Sequence, residues 1–363
     1  MKKGNPLSNT NKPSAKKKLS FLKVSRRSGN LPLLDPVVVA RNKAKGIETT
    51  LLLDTNVLIY METAVKNGNS WGDLKAVGLD KLVKLLGRCP PQSVCLSPGC
   101  AFNEMPPGLA DASRSDFEAF LAKHLPSFTD APNSTRNAYA GKTRDFGFED
   151  LSEEHQAVLA ASFTSLLLML LVEYRSGAAP IDKFQLLLER LVTTLDLLSL
   201  KEVEIARYVF APDGKQGTPT QDSITVLRRN FAKTKAKAPR TADELLKVAF
   251  NGACDLHLIN AAVSMDNRGL DNVQQDTWIT TFDDKLADFC SIFHYLDDGE
   301  HTGALGVMNL NAEQVGAAYW EESLRMRKNL IVGRLALDRI ADLDHLRTAA
   351  HQVIAEVRQQ FPS

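Results

Sequence analysis

The tightest constraint on the fold is the stretch TTLLLDTNVLIY, Thr49–Tyr60. Three consecutive leucines, Leu51 to Leu53, leave no polar face. Such a run suits a strand buried on both sides of a parallel sheet, not one with a wet face. It stops at Asp54, and Val57-Leu58-Ile59-Tyr60 resumes the apolar pattern as the opening of a helix. Strand, acid and helix in that order put Asp54 at the carboxyl end of a central strand, where open α/β sheets place their ligands. A carboxylate there is costly unless something positive meets it.

Three more stretches predict strands: Ser93–Ser97, Thr277–Phe282 and Ser291–Leu296, all β-branched or aromatic in character. Apolar periodicity and capping residues predict helices at Leu74–Leu86, Cys100–Met105, Asp111–Ala122, Ser152–Arg175, Ile181–Val209 and Ala242–Asp266, the last capped by Thr241. A further helix is expected at Asp283–Phe289, and Asn311–Gln360 has a helical pattern. Pro126–Asp150 is polar and turn-rich and reads as a long loop. The expected architecture is α/β, a central parallel sheet flanked by helices. Residues 48–105 and 250–298 form its core, 106–249 a large helical insertion, and 299–363 a helical C-terminal tail. Residues 1–47 hold twelve lysines and arginines against one acid, Asp35. They read as a basic, disordered arm with an extended piece at Leu31–Ala40.

Composition excludes more than it selects. The net charge of +1 gives no whole-molecule attraction to a polyanion. The five cysteines form no CxxC pair, so neither a disulfide framework nor a zinc knuckle is indicated, and a reducing cytoplasmic setting fits. The longest apolar run, Leu166–Val172, is far short of the roughly 20 residues needed to cross a bilayer, so no membrane association is expected. No glycine-rich phosphate loop and no Ser–His–Asp or Cys–His arrangement can be argued.

Four acids fall at element ends. Asp54 follows the first strand, Glu104 lies in the short helix after the second, and Asp255 lies in the first turns of the helix leading to the third. Asp283 follows that third strand in TTFDDKLADF. Strand ends of a doubly wound sheet share one edge, so all four can meet there. Several carboxylates crowd together only at a cost, which a hard divalent ion relieves. Mg²⁺ or Mn²⁺ takes carboxylate and water oxygens, and such ions serve phosphoryl chemistry by polarising a phosphate and activating water.

This ordered set resembles the PIN domain, a family of metal-dependent nucleases acting mainly on RNA. The family's D-x-N is matched by Asp54-Thr55-Asn56, and its Ser-ended second strand with a following Glu by Ser97 and Glu104. Its D-x-x-[IL]-x-x-A is matched by Asp255, Leu258 and Ala261, and its T-x-D by Thr281-Phe282-Asp283. The resemblance covers about Thr49–Met105 and Phe250–Leu296, and the segment between departs from it. It implies a metal-dependent endonuclease, an endoribonuclease before a DNA enzyme, with Asp54, Glu104, Asp255 and Asp283 as metal ligands and catalytic residues. Cleavage would leave 5′-phosphate and 3′-hydroxyl ends. Asn56 and Thr281 would orient ligands or substrate. Asp284 competes with Asp283 as an outer ligand or a plain helix acid. Each acid also has an ordinary use, since Asp caps helices well.

The acids repel phosphate, so a docking surface must come from elsewhere. Arg228, Arg229, Lys233, Lys235 and Lys237, interrupted by Phe231, form the second concentration of cations after the arm. Arg228, Arg229 and Lys233 are the expected nucleic-acid contacts, with Phe231 as a stacking residue. Two other readings compete: a structure-specific DNA nuclease of the related flap-nuclease type, with the insertion as its arch, and a non-catalytic PIN-like scaffold that binds RNA or protein through the insertion. Self-association stays open.

Overall fold

The computed structural model of the chain describes residues 18–27, 30–128, 139–142, 145–233, 237–270, 272–296, 306–308, 312–335 and 341–362. The order begins with β1 (Ser20–Leu22), β2 (Ser25–Arg26), α1 (Pro36–Ala44), β3 (Glu48–Leu53) and α2 (Thr55–Lys66). There follow α3 (Trp71–Val77), α4 (Asp80–Leu86), β4 (Val94–Ser97), α5 (Gly99–Asn103) and α6 (Pro107–His124). Next are α7 (Glu153–Arg175), α8 (Pro180–Arg190), α9 (Leu200–Phe210), α10 (Pro219–Leu227) and α11 (Ala242–Arg268). The chain closes with β5 (Gln275–Thr281), α12 (Asp284–Ile292), β6 (Phe293–Leu296), β7 (Gly306–Met308), α13 (Ala318–Leu335) and α14 (Leu343–Gln360).

The main sheet has the order β1-β5-β3-β4. β3 runs parallel to both β4 and β5, with Leu52 opposite Ser97 on one side and Ile279 on the other. The leucine run does what its composition demands. Leu51 and Leu53 face one core with Trp278, Phe282 and the apolar residues of α2 to α6. Leu52 faces a second core with Ile279, α7, α11 and α14. Each side chain so buried contributes about 1.5–3 kcal/mol relative to exposure. The molecule is thus a mixed α/β fold in which helices cover both faces of a largely parallel sheet.

Several expectations need correction. Residues 18–27 and 30–46 are not a free arm. β1 pairs antiparallel with β5, and Leu31–Ala40 is coil followed by the start of α1, capped by Asp35. Lys23 explains the attachment: its ammonium sits between Asp266 (2.9 Å) and Asp276 (2.8 Å). Burial lowers the Lys23 pKa and the two carboxylates raise it, with a net upward shift. Residues 1–17 of the expected arm, and 297–305 where core gives way to tail, lie outside the described residues.

The fourth expected strand, β6, does not extend the main sheet but joins β2 and β7 in a second one. Leu74–Leu86 is two helices, broken at Gly78, whose φ of 83° suits glycine. Ile181–Val209 is also broken. α8 runs into a π-helical turn, Leu191–Leu195, ended by Asp196 at φ 50°, before α9 starts. Residues 106–249 divide between the two cores: α6 packs with α2 on one face, and α7 to α10 build the other. α7 is long and apolar enough to cross a membrane by length and composition, but 72% of its most apolar window is buried inside the protein. The uninterrupted run Leu166–Val172 understated its apolar length.

Candidate functional site

Asp54 ends β3 and begins α2, and its backbone N–H bonds to Thr280 O of the adjacent β5 (3.0 Å). Its carboxylate does not cap α2, so the ordinary use of an Asp here is not the one made of it. Instead Oδ2 accepts hydrogen bonds from Asn56 Nδ2 and Thr281 Oγ1. Asn56 reaches further. Its Oδ1 accepts the backbone N–H of Phe282 (2.9 Å), and its Nδ2 also approaches Thr281 Oγ1 (3.2 Å). One side chain therefore staples the turn after β3 to the turn after β5. The spacing of D-x-N and T-x-D has this physical content: the third residue of the first, Asn56, and the first residue of the second, Thr281, each reach across to the other turn.

Asp283 lies beyond that staple. Its N–H bonds to Thr281 Oγ1 (2.8 Å), and its carboxylate accepts from the backbone N–H of Lys285 (2.7 Å), capping α12. Asp284, at the first turn of α12, is exposed. Glu104 closes α5 and is only 7% exposed. Thr55 Oγ1 donates to it at 2.6 Å, a partner that sequence reading overlooked although it is the middle residue of D-x-N. Asp255 sits in the middle of α11, not in its first turns, because the helix begins at Ala242.

All four acids come together. Asp54 feels Asp283, Glu104 feels Asp54, and Asp255 feels Asp283, Asp54 and Glu104. Burial, reinforced by this mutual repulsion, lifts Asp54 to about 6 and Glu104 to about 8, and Asp255 well above the usual carboxylate range. Among the described residues no three His, Cys, Asp or Glu side chains stand in positions to hold an ion as they are. The acids are neighbours, not a formed coordination shell. Their chemistry nonetheless suits a hard divalent ion: every donor is an oxygen, and the protein supplies few cations to offset them.

Two of those cations come from different elements. Lys285 lies on α12, two residues after Asp283, and Lys233 follows the π-helical turn Arg228–Ala232. Lys233 is within electrostatic reach of Lys285, Asp255 and Asp283. Burial first, and Lys285 second, bring its ammonium down to about 8. Its backbone, at φ 68° and ψ 165°, occupies a region that is essentially glycine-only and costs about 1–3 kcal/mol for other residues. Cys254, beside Asp255, is the other neighbour that sequence did not single out. Burial and the surrounding acids hold its thiol well above the ordinary range. All five cysteines are free.

The remaining basic residues are committed elsewhere. Arg228 pairs with Asp213 and donates to Val209 O (2.9 Å) and Ala211 O. Arg229 pairs with Asp288 of α12. Phe231 is 2% exposed and meets Phe289 edge-on, so it is a core residue and not a stacking platform. Lys237 is exposed, and Lys235 lies outside the described residues. Of the expected contacts on this stretch, Lys233 is the one that the fold brings to the acids.

Comparison with known proteins does not extend the picture. No protein-family model, curated protein or solved structure matches the chain. The functional reading rests on the residues and their arrangement.

Proposed function

We propose that the chain is a divalent-metal-dependent nuclease with a PIN-like core, acting on RNA in preference to DNA. The observation that carries the reading is the meeting of Asp54, Glu104, Asp255 and Asp283 from four separate elements in one electrostatically coupled cluster. Nothing in folding favours such crowding, which raises the pKa values of three of them. These four side chains would hold Mg²⁺ or Mn²⁺, which when bound supplies charge stabilisation and an activated water for phosphodiester hydrolysis. The protein's own residues set the geometry. Asn56 and Thr281 fix the Asp54 carboxylate, and Thr55 fixes Glu104. Lys233 and Lys285 offset part of the acidic field that a phosphate must enter. The preference for RNA rests on the resemblance in sequence.

The test incubates the purified chain with labelled RNA and DNA, with and without Mn²⁺, beside an Asp54→Asn variant. Metal-dependent cleavage by the parent and its loss in the variant are expected, because a neutral amide is a weaker ligand for a hard cation. The metal-free variant should melt higher than its parent, since like-charge crowding is relieved. Full activity of Asp54→Asn in Mg²⁺ would sink the reading.

A further inference from the structure

Beside Lys233 lies a cavity of about 730 Å³ between α7, α8, α9 and α10. Its volume is within the range of small-molecule sites, about 300–1,000 Å³. The charges around it are unequally engaged. Lys183 is paired with Glu173 at 3.0 Å, and Arg228 with Asp213. Lys233, on the same wall, closes no ion pair with any described residue and is also the residue that reaches Asp255 and Asp283. Tyr174 adds an aromatic ring whose hydroxyl is anchored on Ala232 O, in the turn that carries Lys233.

That turn is held with unusual care. Arg229 pairs with Asp288, Asn230 Nδ2 donates to Lys285 O (2.8 Å), and Phe231 meets Phe289, so the turn is fixed to α12 and hence to Asp283. At its end the chain keeps a lysine in a backbone conformation that favours glycine. Lys233 thus stands between the acid cluster and the cavity and closes no ion pair with a described residue, so an anion in the cavity would meet a positive charge there.

We infer that this cavity binds one nucleotide of the substrate, its base against Tyr174 and its phosphate on Lys233, next to the bond cut at the acid cluster. Cleavage beside the cavity rests on the proposed nuclease reading; the cavity and its ligand class do not. A cation and an aromatic ring together recognise a phosphorylated base, not a bare anion or a free nucleoside.

The test is calorimetric titration of the full chain in EDTA, so that no divalent ion contributes. The probes are uridine 5′-monophosphate, uridine and inorganic phosphate. The nucleotide should bind more tightly than either fragment. Lys233→Gly should weaken nucleotide binding at least tenfold, about 1.4 kcal/mol, while keeping or raising the melting temperature because its backbone is relieved. Ala178→Trp, which fills the cavity from an exposed position on its wall, should weaken binding as much. Equal affinity in the parent and both variants, no binding by the parent, or phosphate binding as tightly as the nucleotide would overturn the proposal. Cleavage is scored separately. Nucleotide binding without metal-dependent cleavage keeps the cavity and defeats the nuclease reading, and cleavage without nucleotide binding does the reverse.

Discussion

Asn56 is the residue on which the geometry of the acids turns, and it is not an acid itself. Its amide satisfies the Phe282 N–H and donates to both Asp54 and Thr281. Asn56→Ala leaves the Phe282 N–H unpaired and takes one partner each from Asp54 and Thr281, and the expected loss of stability is about 1–3 kcal/mol by urea denaturation. The proposed nuclease activity should fall with it, since Asp54 loses one of its two anchors. Glu104 gives a pH signature. Its folded pKa, about 8, lies above the ordinary 4.5, so the folded state holds the proton more tightly than the unfolded one. Below about pH 4.5 both states are protonated and there is no penalty. Between about 4.5 and 8 the unfolded state ionises first, and the metal-free fold loses stability as pH rises. Melting curves without metal should therefore fall across that window, Glu104→Gln should flatten the fall, and Mg²⁺ should restore stability at its upper end. At this scale the sequence was highly legible. Asp54, Glu104 and Asp283 could be placed because strand ends and turn residues leave local marks, whereas Asp255, in the middle of α11, could be singled out only through the family resemblance and was expected too near the helix start. Thr55 and Cys254 could not, since their roles depend on helices that meet only in three dimensions.

Elements with few residues proved harder to read. β1 has three residues and lies in a stretch dominated by lysine, so local composition argued for a solvated arm. What fixes it is remote: Lys23 reaches Asp266 on α11 and Asp276 on β5. Lys23→Met would leave two buried acids facing each other, and the expected cost is about 3–5 kcal/mol by chemical denaturation. Deleting residues 1–17 should leave the fold intact, whereas deletion through residue 45 removes β1, β2, α1 and this clamp. α11 carries a tighter constraint at Gly252. A Cβ there would meet Leu166 Cδ1 at 2.9 Å and Phe231 Cδ1 at 3.1 Å. Alanine gains about 1 kcal/mol of helix propensity over glycine, but overpacking costs about 1–3 kcal/mol where neighbours cannot yield. Leu166 is fully buried and Phe231 is held against Phe289. Gly252→Ala should therefore lower stability by about 1 kcal/mol in thermal melts and loosen the turn that carries Lys233. Helix breaks at Asp196 and Gly78 were hidden for a related reason: apolar periodicity continues across them while the backbone does not.

For the molecule as a whole, the division into core, insertion and tail describes the order of the chain more than its packing. α7, from the insertion, lies against α11 and α14, and one apolar core runs through all three segments. Sequence periodicity reports which face of a helix is apolar but not which remote partner covers it. The sheet shows the same remoteness in its sharpest form. β3 and β5 are neighbours, with Leu52 opposite Ile279, and the ten helices α2 to α11 are threaded between them. During synthesis β3 emerges early and can meet β4 quickly, but its other edge waits until β5 leaves the ribosome. At typical elongation rates of about 5–20 residues per second the wait is on the order of tens of seconds. Through that interval the strand that carries Leu51–Leu53 has an open edge, the kind of surface that recruits chaperones or other nascent chains. The same delay sets the order of assembly of the acids. Asp54 and Glu104 are in place first, and Asp255 and Asp283 arrive only as the sheet closes, so the most repulsive step of the fold is also among its last.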